Sequence, residues 1–278
     1  MEQKPQTPLS RDLVPRIVSG VVLAVVALAL TWVGVWPFAA FVLAVALLVL
    51  WEWGNIVRKG GVDTIFVVSA LAVGAAVIVT ACGTPGLGLI AIVVGGILAS
   101  LLGFGQRGHL SSLGVLYAGL ASIALVWIRA DAPWGFTAML FLFIVVWVTD
   151  TAAYVSGRTL GGPRLAPRLS PNKTWAGLLG GVAAAALAGA ALGYVVPEAL
   201  PARMAITAAV LAVVAQAGDI TESALKREHH VKDASGLIPG HGGFMDRVDG
   251  LIFAAVVAAL FGMFVNVHDP ARAILTWH

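Results

Sequence analysis

Between Asp219 and Asp249 the chain sets acids and bases side by side: Asp219, Glu222, Asp233, Asp246 and Asp249 against Lys226, Arg227, Lys232 and Arg247. The last part, GLIPGHGGFMDRVDG at 236–250, adds five glycines, a proline and His241. Carboxylate oxygens suit Mg²⁺, which keeps some of its waters and binds substrate phosphates as well. Lysine and arginine neutralise phosphate oxygens, arginine through a two-pronged fork. Glycines let backbone N–H groups come close to an anion. Together these are the parts of phosphoryl or nucleotidyl transfer, where positioning and charge neutralisation do most of the work. A solvated ionic loop and the gate of a transporter remain open on composition alone. No GxxxxGK[ST] run occurs, which argues against a P-loop ATPase.

Spacing narrows the choice. On a continuous helix Asp219, Glu222, Ser223, Lys226 and Arg227 form one polar stripe, readable as a site wall or as a solvated helix end. Asp246 and Asp249 share a helical face and stand where an aspartate could also cap a helix start. Asp150 lies inside an apolar stretch with Tyr154 one turn on, so an Asp–Tyr hydrogen bond and a polar site wall are both open. Glu52, between Trp51 and Trp53, reads as a structural residue at the membrane interface.

The elements that must hold these residues are apolar. Of the 278 residues, 59% are hydrophobic and 11% charged, too oily for one soluble core. The expected fold is an all-α integral membrane protein, a single polytopic domain over 1–278. Windows of about 20 residues place nine spans near 17–34, 36–53, 62–82, 86–104, 110–128, 135–155, 175–196, 202–220 and 249–267. The N-terminal spans cover 17–128. The catalytic C-terminal spans cover 135–267 and carry two long connections, 156–174 and 221–248. The alternative that Met1–Ala29 is a cleaved signal peptide is less simple than an uncleaved first span. Gly177-x-x-x-Gly181 and Gly189-x-x-x-Gly193 are expected where helices approach closely. Lys and Arg set the orientation. Only Arg129, Arg203 and Arg272 fall on one side, which leaves fourteen of the 17 on the other. The positive-inside rule then puts the N-terminus and both long connections in the cytoplasm and the C-terminus outside. Cys82 is the sole cysteine, so no intramolecular disulfide forms. With a net charge of only +3, no nucleic-acid partner is expected.

At these residues the chain resembles a known family. Ser223–Asp249, SALKREHHVKDASGLIPGHGGFMDRVD, resembles the signature of the phosphatidate cytidylyltransferases, or CDP-diacylglycerol synthases. The matching positions are Ser223, Lys226-Arg227, Lys232-Asp233, Ser235, Ile238-Pro239, His241-Gly242-Gly243, Asp246-Arg247 and Asp249. GDITES at 218–223, DTAAY at 150–154 and SPNKTWAG at 170–177 are similar to further family segments. One departure is that Ala176 and Asn172 stand where the family often has a carboxylate and a second lysine, although Lys173 matches.

The resemblance implies the reaction CTP + phosphatidate → CDP-diacylglycerol + pyrophosphate. It also implies Mg²⁺, with room for a second cation, and a homodimer in the cell's inner (plasma) membrane with the active site facing the cytoplasm. On that reading Asp219 and Asp246 hold the metal, with Asp249 as a third ligand or behind them. Lys226, Arg227 and Arg247 neutralise phosphates, and Lys173 approaches from the connection at 156–174. Ser223, Lys232, Gly242 and Gly243 complete the substrate site. His241 is either a phosphate donor or a loop-packing residue. A CDP-alcohol phosphotransferase would need Asp-Gly-x-x-Ala-Arg, whereas Asp249-Gly250 continues Leu-Ile-Phe-Ala. A transporter using Asp150 and Asp219 is the non-enzymatic rival.

Overall fold

The computed structural model describes residues 10–104, 108–237 and 242–278. Ten helices follow one another: α1 Ser10–Val33, α2 Val35–Arg58, α3 Thr64–Ala81, α4 Pro85–Leu102, α5 Gly108–Ala130, α6 Gly135–Leu160, α7 Trp175–Gly193, α8 Pro201–Glu228, α9 Met245–Val265 and the short α10 Pro270–Thr276. Among the described residues, α2 through α9 are each long and apolar enough to cross a membrane. The described apolar part of α1 is Val18–Val33. The chain is thus a multi-pass membrane protein, and each of the nine expected windows falls on a helix.

The helices agree with the all-α expectation, and one small element is added to them. Between α6 and α7 lies a small antiparallel hairpin, β1 Arg164–Ala166 and β2 Ser170–Thr174. Thr174 then caps α7, its hydroxyl accepting from the Gly177 N–H at 3.0 Å. The two long connections are also shorter than their windows. Helix α6 runs on to Leu160, and α8 continues to Glu228. The whole Asp219–Arg227 stripe is therefore helical.

Small residues set the spacing of α6, α7 and α8, as the glycine pairs led one to expect. A Cβ at Gly177 or Gly181 would stand 2.9 Å from a carbonyl oxygen of α6, and one at Gly189 2.6 Å from Met204 O of α8. Helices α8 and α9 meet equally closely: a Cβ at Gly218 would lie 2.6 Å from Asp249 O and 3.1 Å from Phe253. The two helices that carry the aspartates thus touch at the neighbour of one and the backbone of the other. Helix α9 also packs on α5 and α2, so the first half of the chain reaches the polar loop directly.

The end of the molecule away from this loop is tied down by its own arginines. Arg129 Nε donates to Thr31 O at 2.6 Å and Arg203 to Thr276 O at 2.9 Å, while Arg272 pairs with Glu198 at 2.7 Å.

Candidate active site

One turn of α8 and the start of α9 are joined through Lys226. Its ammonium lies 2.7 Å from Glu222 Oε2 and 2.5 Å from Asp246 Oδ1. The other oxygen of Asp246 accepts from the N–H groups of Gly243 and Ala234, at 2.8 and 3.1 Å. Both oxygens of this aspartate are engaged, and it draws residues 234 and 243 of the loop onto the helix.

A second carboxylate holds the same loop from far away in sequence. Glu52 of α2 is fully buried. It accepts from Ser235 Oγ at 2.5 Å and from the N–H groups of Phe244 and Met245 at 2.9 and 2.7 Å. Helix termini leave backbone N–H groups without partners, and here a side chain from α2 satisfies those that open α9. Glu52 is structural, as expected, but it stands inside the protein rather than at the interface. Its partners explain why the sequence leaves so much glycine nearby: a Cβ at Gly243 would come within 2.5 Å of Glu52 Oε1. Gly242, with φ of 83°, occupies a conformation that side chains rarely adopt.

A second lysine organises the upper part of the stripe. The hairpin brings Lys173 to α8, where Nζ lies 2.7 Å from Asp219 Oδ2 and donates to Gln216 Oε1 at 2.9 Å. Gln216 in turn donates to Asp150 Oδ1 at 3.3 Å. Ser223 Oγ is 3.4 Å from Asp219 Oδ1, a long contact. Asp150 is therefore a polar wall of this site; Tyr154 turns away and accepts from Arg158 at 3.1 Å. Asp249 stands within electrostatic reach of both Asp219 and Asp150, and among the described residues its Oδ1 accepts only from the next N–H, that of Gly250, at 2.8 Å. Neither aspartate of α9 caps the two N–H groups that open it; Glu52 does.

The remaining expected residues are placed as follows. Arg247 is exposed, with no hydrogen bond or ion pair among the described residues, and it lines a cleft between helices. Arg227 and Lys232 are exposed and make no hydrogen bond or ion pair with the site among the described residues. The Gly243 N–H is already used by Asp246. His241 lies outside the described residues.

Two buried polar atoms have no hydrogen-bond partner among the described residues of this region: Glu222 Oε1 and the hydroxyl of Tyr117 on α5. Tyr117 is held between Trp53 and Phe253, with ring centroids at 5.2 and 6.3 Å, and lies within electrostatic reach of Asp249, Glu222, Asp246 and Asp219. Composition gives no signal for it, because a tyrosine in an apolar span reads as core. Buried polar atoms are costly to leave unpaired. Together with the crowd of carboxylates they mark a place that fits a hydrated cation. Among the described residues no three His, Cys, Asp or Glu side chains converge as a ready-made cage. Mg²⁺ does not need one, since it is usually held by one or two carboxylates and completed by water and substrate phosphates.

Beside this ionic region opens a cleft of 530 Å³. Its walls are apolar side chains of α1, α2, α5, α6 and α9; Asp150, Thr151 and Arg247 also line it.

A family model described as the cytidylyltransferase family matches residues 14–265. The chain is 40% identical over 266 residues to the phosphatidate cytidylyltransferase of Brucella suis biovar 1, covering 95% of this chain and 98% of that one. The phosphatidate cytidylyltransferase of Haemophilus influenzae is 36% identical over 160 residues, 56% of each chain. That of Bacillus subtilis is 34% identical over 143 residues, covering 51% of this chain and 53% of that one.

Proposed function

This chain belongs to the cytidylyltransferase family, and from that premise we propose the following division of labour within its site. The enzyme transfers the cytidylyl group of CTP to phosphatidate, giving CDP-diacylglycerol and pyrophosphate, a step of phospholipid synthesis. The observation that carries the assignment of residues is the 2.7 Å contact of Lys173 with Asp219. It joins the two polar segments that the sequence keeps 46 positions apart (219 − 173).

Asp219, Asp246 and Asp249 would hold Mg²⁺. Asp219 and Asp249 offer the freer oxygens, whereas both oxygens of Asp246 already accept hydrogen bonds. When bound, the ion supplies charge neutralisation to the triphosphate and to the departing pyrophosphate. Lys173 flanks that place and shares the neutralisation with Arg227, while Lys226, engaged by Glu222 and Asp246, holds Asp246 in position. Arg247 receives the lipid phosphate. A phosphate oxygen of phosphatidate attacks the α-phosphorus of CTP in line, the bond from the α-phosphorus to the bridging oxygen breaks, and that oxygen leaves with pyrophosphate. Phosphatidate is already an anion, so no strong base is required. Ser223, Lys232, His241, Gly242 and Gly243 complete the nucleotide side.

The site faces the cytoplasm, where CTP is made, across nine spans of the inner membrane, and the enzyme works as a homodimer. The excess of Lys and Arg on that side supports the orientation. In a Cys82→Ala background, cysteine at exposed Gly236, where an added Cβ meets nothing within 4 Å, labels only from the cytoplasmic side; labelling from outside overturns the topology. Light scattering corrected for detergent tests the dimer.

Purified protein given phosphatidate, labelled CTP and Mg²⁺ yields CDP-diacylglycerol, and a chelator stops it. A folded preparation that makes none overturns the reading.

A further inference from the structure

We propose that Tyr117 of α5 is a positioning residue for the cation: as the ion binds, its hydroxyl donates to the carboxylate of Asp249 and so aims that carboxylate at the metal. This rests on the function proposed above, which makes Asp249 a metal ligand, and it concerns a residue outside the polar stripe.

The carboxylates of the site differ in what serves them. Glu222 and Asp246 share Lys226, and Asp246 takes two loop N–H groups as well. Asp219 has Lys173 and, at longer range, Ser223. Asp150 has Gln216. Asp249 is the exception. Among the described residues no side chain donates to it, and the N–H that does, from Gly250, belongs to its own helix. The donors show the matching exception. Among the described residues, the Tyr117 hydroxyl is the one buried side-chain donor of this region without a partner. Of the carboxylates within its electrostatic reach, Asp249 acts on it most strongly. A donor lacking an acceptor thus lies near an acceptor lacking a side-chain donor.

Packing keeps the hydroxyl in this place. The Trp53 ring lies on α5, where its Nε1 donates to Leu110 O at 2.8 Å. Gly114 makes the room, since a Cβ there would stand 2.6 Å from Trp53 Cδ1. Trp53 meets Tyr117 on one side. Phe253, one turn after Asp249 on α9, meets it edge-on from the other. Phe253 is itself tight against Gly218, the neighbour of Asp219. The phenol is thereby held where α5, α8 and α9 converge, and a ring without a hydroxyl would pack there as well. A buried hydroxyl without a partner destabilises a fold, so stability alone would favour phenylalanine. Carboxylates that bind metals are themselves hydrogen-bonded, and these outer partners fix their direction. A phenol does this with a neutral group and leaves the negative charge to the ion, whereas a lysine would compete with it.

Tyr117→Phe should raise the Mg²⁺ concentration for half-maximal turnover by about 10–100-fold, the range for loss of an outer partner, with kcat recovering at saturating Mg²⁺. In EDTA its melting temperature should equal or exceed that of the wild-type protein, because no hydrogen bond of the ion-free fold is lost. Tyr154→Phe, whose exposed phenol contacts Arg158, should keep the wild-type Mg²⁺ requirement. An unchanged requirement in Tyr117→Phe, or a melting temperature lowered in EDTA, overturns the proposal. If Tyr117→Phe fails to fold, an infrared measurement decides. The chain has three tyrosines, so ring-labelled tyrosine in a Tyr154→Phe, Tyr194→Phe protein reports on Tyr117 alone. Its C–O band should shift when Mg²⁺ and CTP are added and return with EDTA; a band that stays in place in an active preparation overturns the proposal. An active enzyme that fails these tests loses the role of Tyr117 alone; a folded one that makes no CDP-diacylglycerol loses the function.

Discussion

Two lysines reach into the polar region, and they do different things. Lys226 sits between Glu222 and Asp246 with side-chain exposures of 12%, 2% and 7%. Lys173 meets Asp219 with exposures of 16% and 36%, on the open side of the same helix. The first cluster closes a structure, fastening the glycine-rich loop to α8. The second holds Asp219 by one short contact to Lys173 and one long contact to Ser223, with Asp249 nearby. The contrast teaches that charge type alone does not identify a catalytic group. A lysine among carboxylates inside the protein holds parts together, and its less buried counterpart is the one we propose trades its partner for substrate.

The comparison can be broken experimentally. The largest effect belongs to Asp246→Asn, which removes the charge that Lys226 and two loop N–H groups share. Turnover should vanish, and urea or thermal unfolding should show a loss of about 3–5 kcal/mol, the cost of breaking a buried pair. Substantial retained activity would remove Asp246 from the metal site. Lys173→Met comes next: kcat/KM should fall about 10²–10³-fold while stability changes by about 1–2 kcal/mol, as for a partly buried pair. A melting curve shifted as far as that of Asp246→Asn would erase the distinction between the clusters. Glu52→Gln keeps the shape but weakens three charge-assisted hydrogen bonds. We expect a loss of about 2 kcal/mol and a kcat reduced roughly tenfold with little change in KM for CTP; wild-type kcat would show that the loop does not depend on its anchor.

The smallest effect lies away from the site. Asp63 caps α3 through the Phe66 N–H at 2.7 Å and pairs with Arg58 at 3.1 Å. Burial acts to raise its pKa, but the Phe66 N–H and the Arg58 guanidinium outweigh it and hold the carboxyl below 3.8. A depressed folded pKa stabilises above the unfolded value and loses that contribution as pH falls through the folded one. Asp63→Ala should cost about 1 kcal/mol at neutral pH, less toward pH 3, with activity unchanged. A large loss of turnover would mean that the α2–α3 connection is coupled to catalysis.

Much of this was legible in the sequence because membrane helices are coded by length and apolarity. The windows found the helices, and the spacing of Asp219, Glu222, Ser223 and Lys226 found a real stripe. What escaped was non-local. No period in α2 announces that Glu52 serves Ser235, Phe244 and Met245, and nothing near Asp150 announces Gln216, 66 positions away, as its partner in place of Tyr154. The hairpin at 164–174 is too short for alternation to show. Helix α8 outruns its apolar window because its polar last turns are held by Glu222 and Lys226 rather than by lipid. The sequence also offers Lys226 to phosphate, although protein carboxylates already engage it.

The reach of Glu52 has a consequence for how the chain is made. Ser235 follows it by 183 positions. At roughly 5–20 residues per second of synthesis, α2 waits on the order of ten to forty seconds with an unanswered carboxylate on an otherwise oily helix. A nascent chain stopped short of Ser235 should therefore expose Glu52 to a carboxyl-modifying carbodiimide, and the finished chain should protect it. The helix that arrives early is completed only by the loop that arrives late.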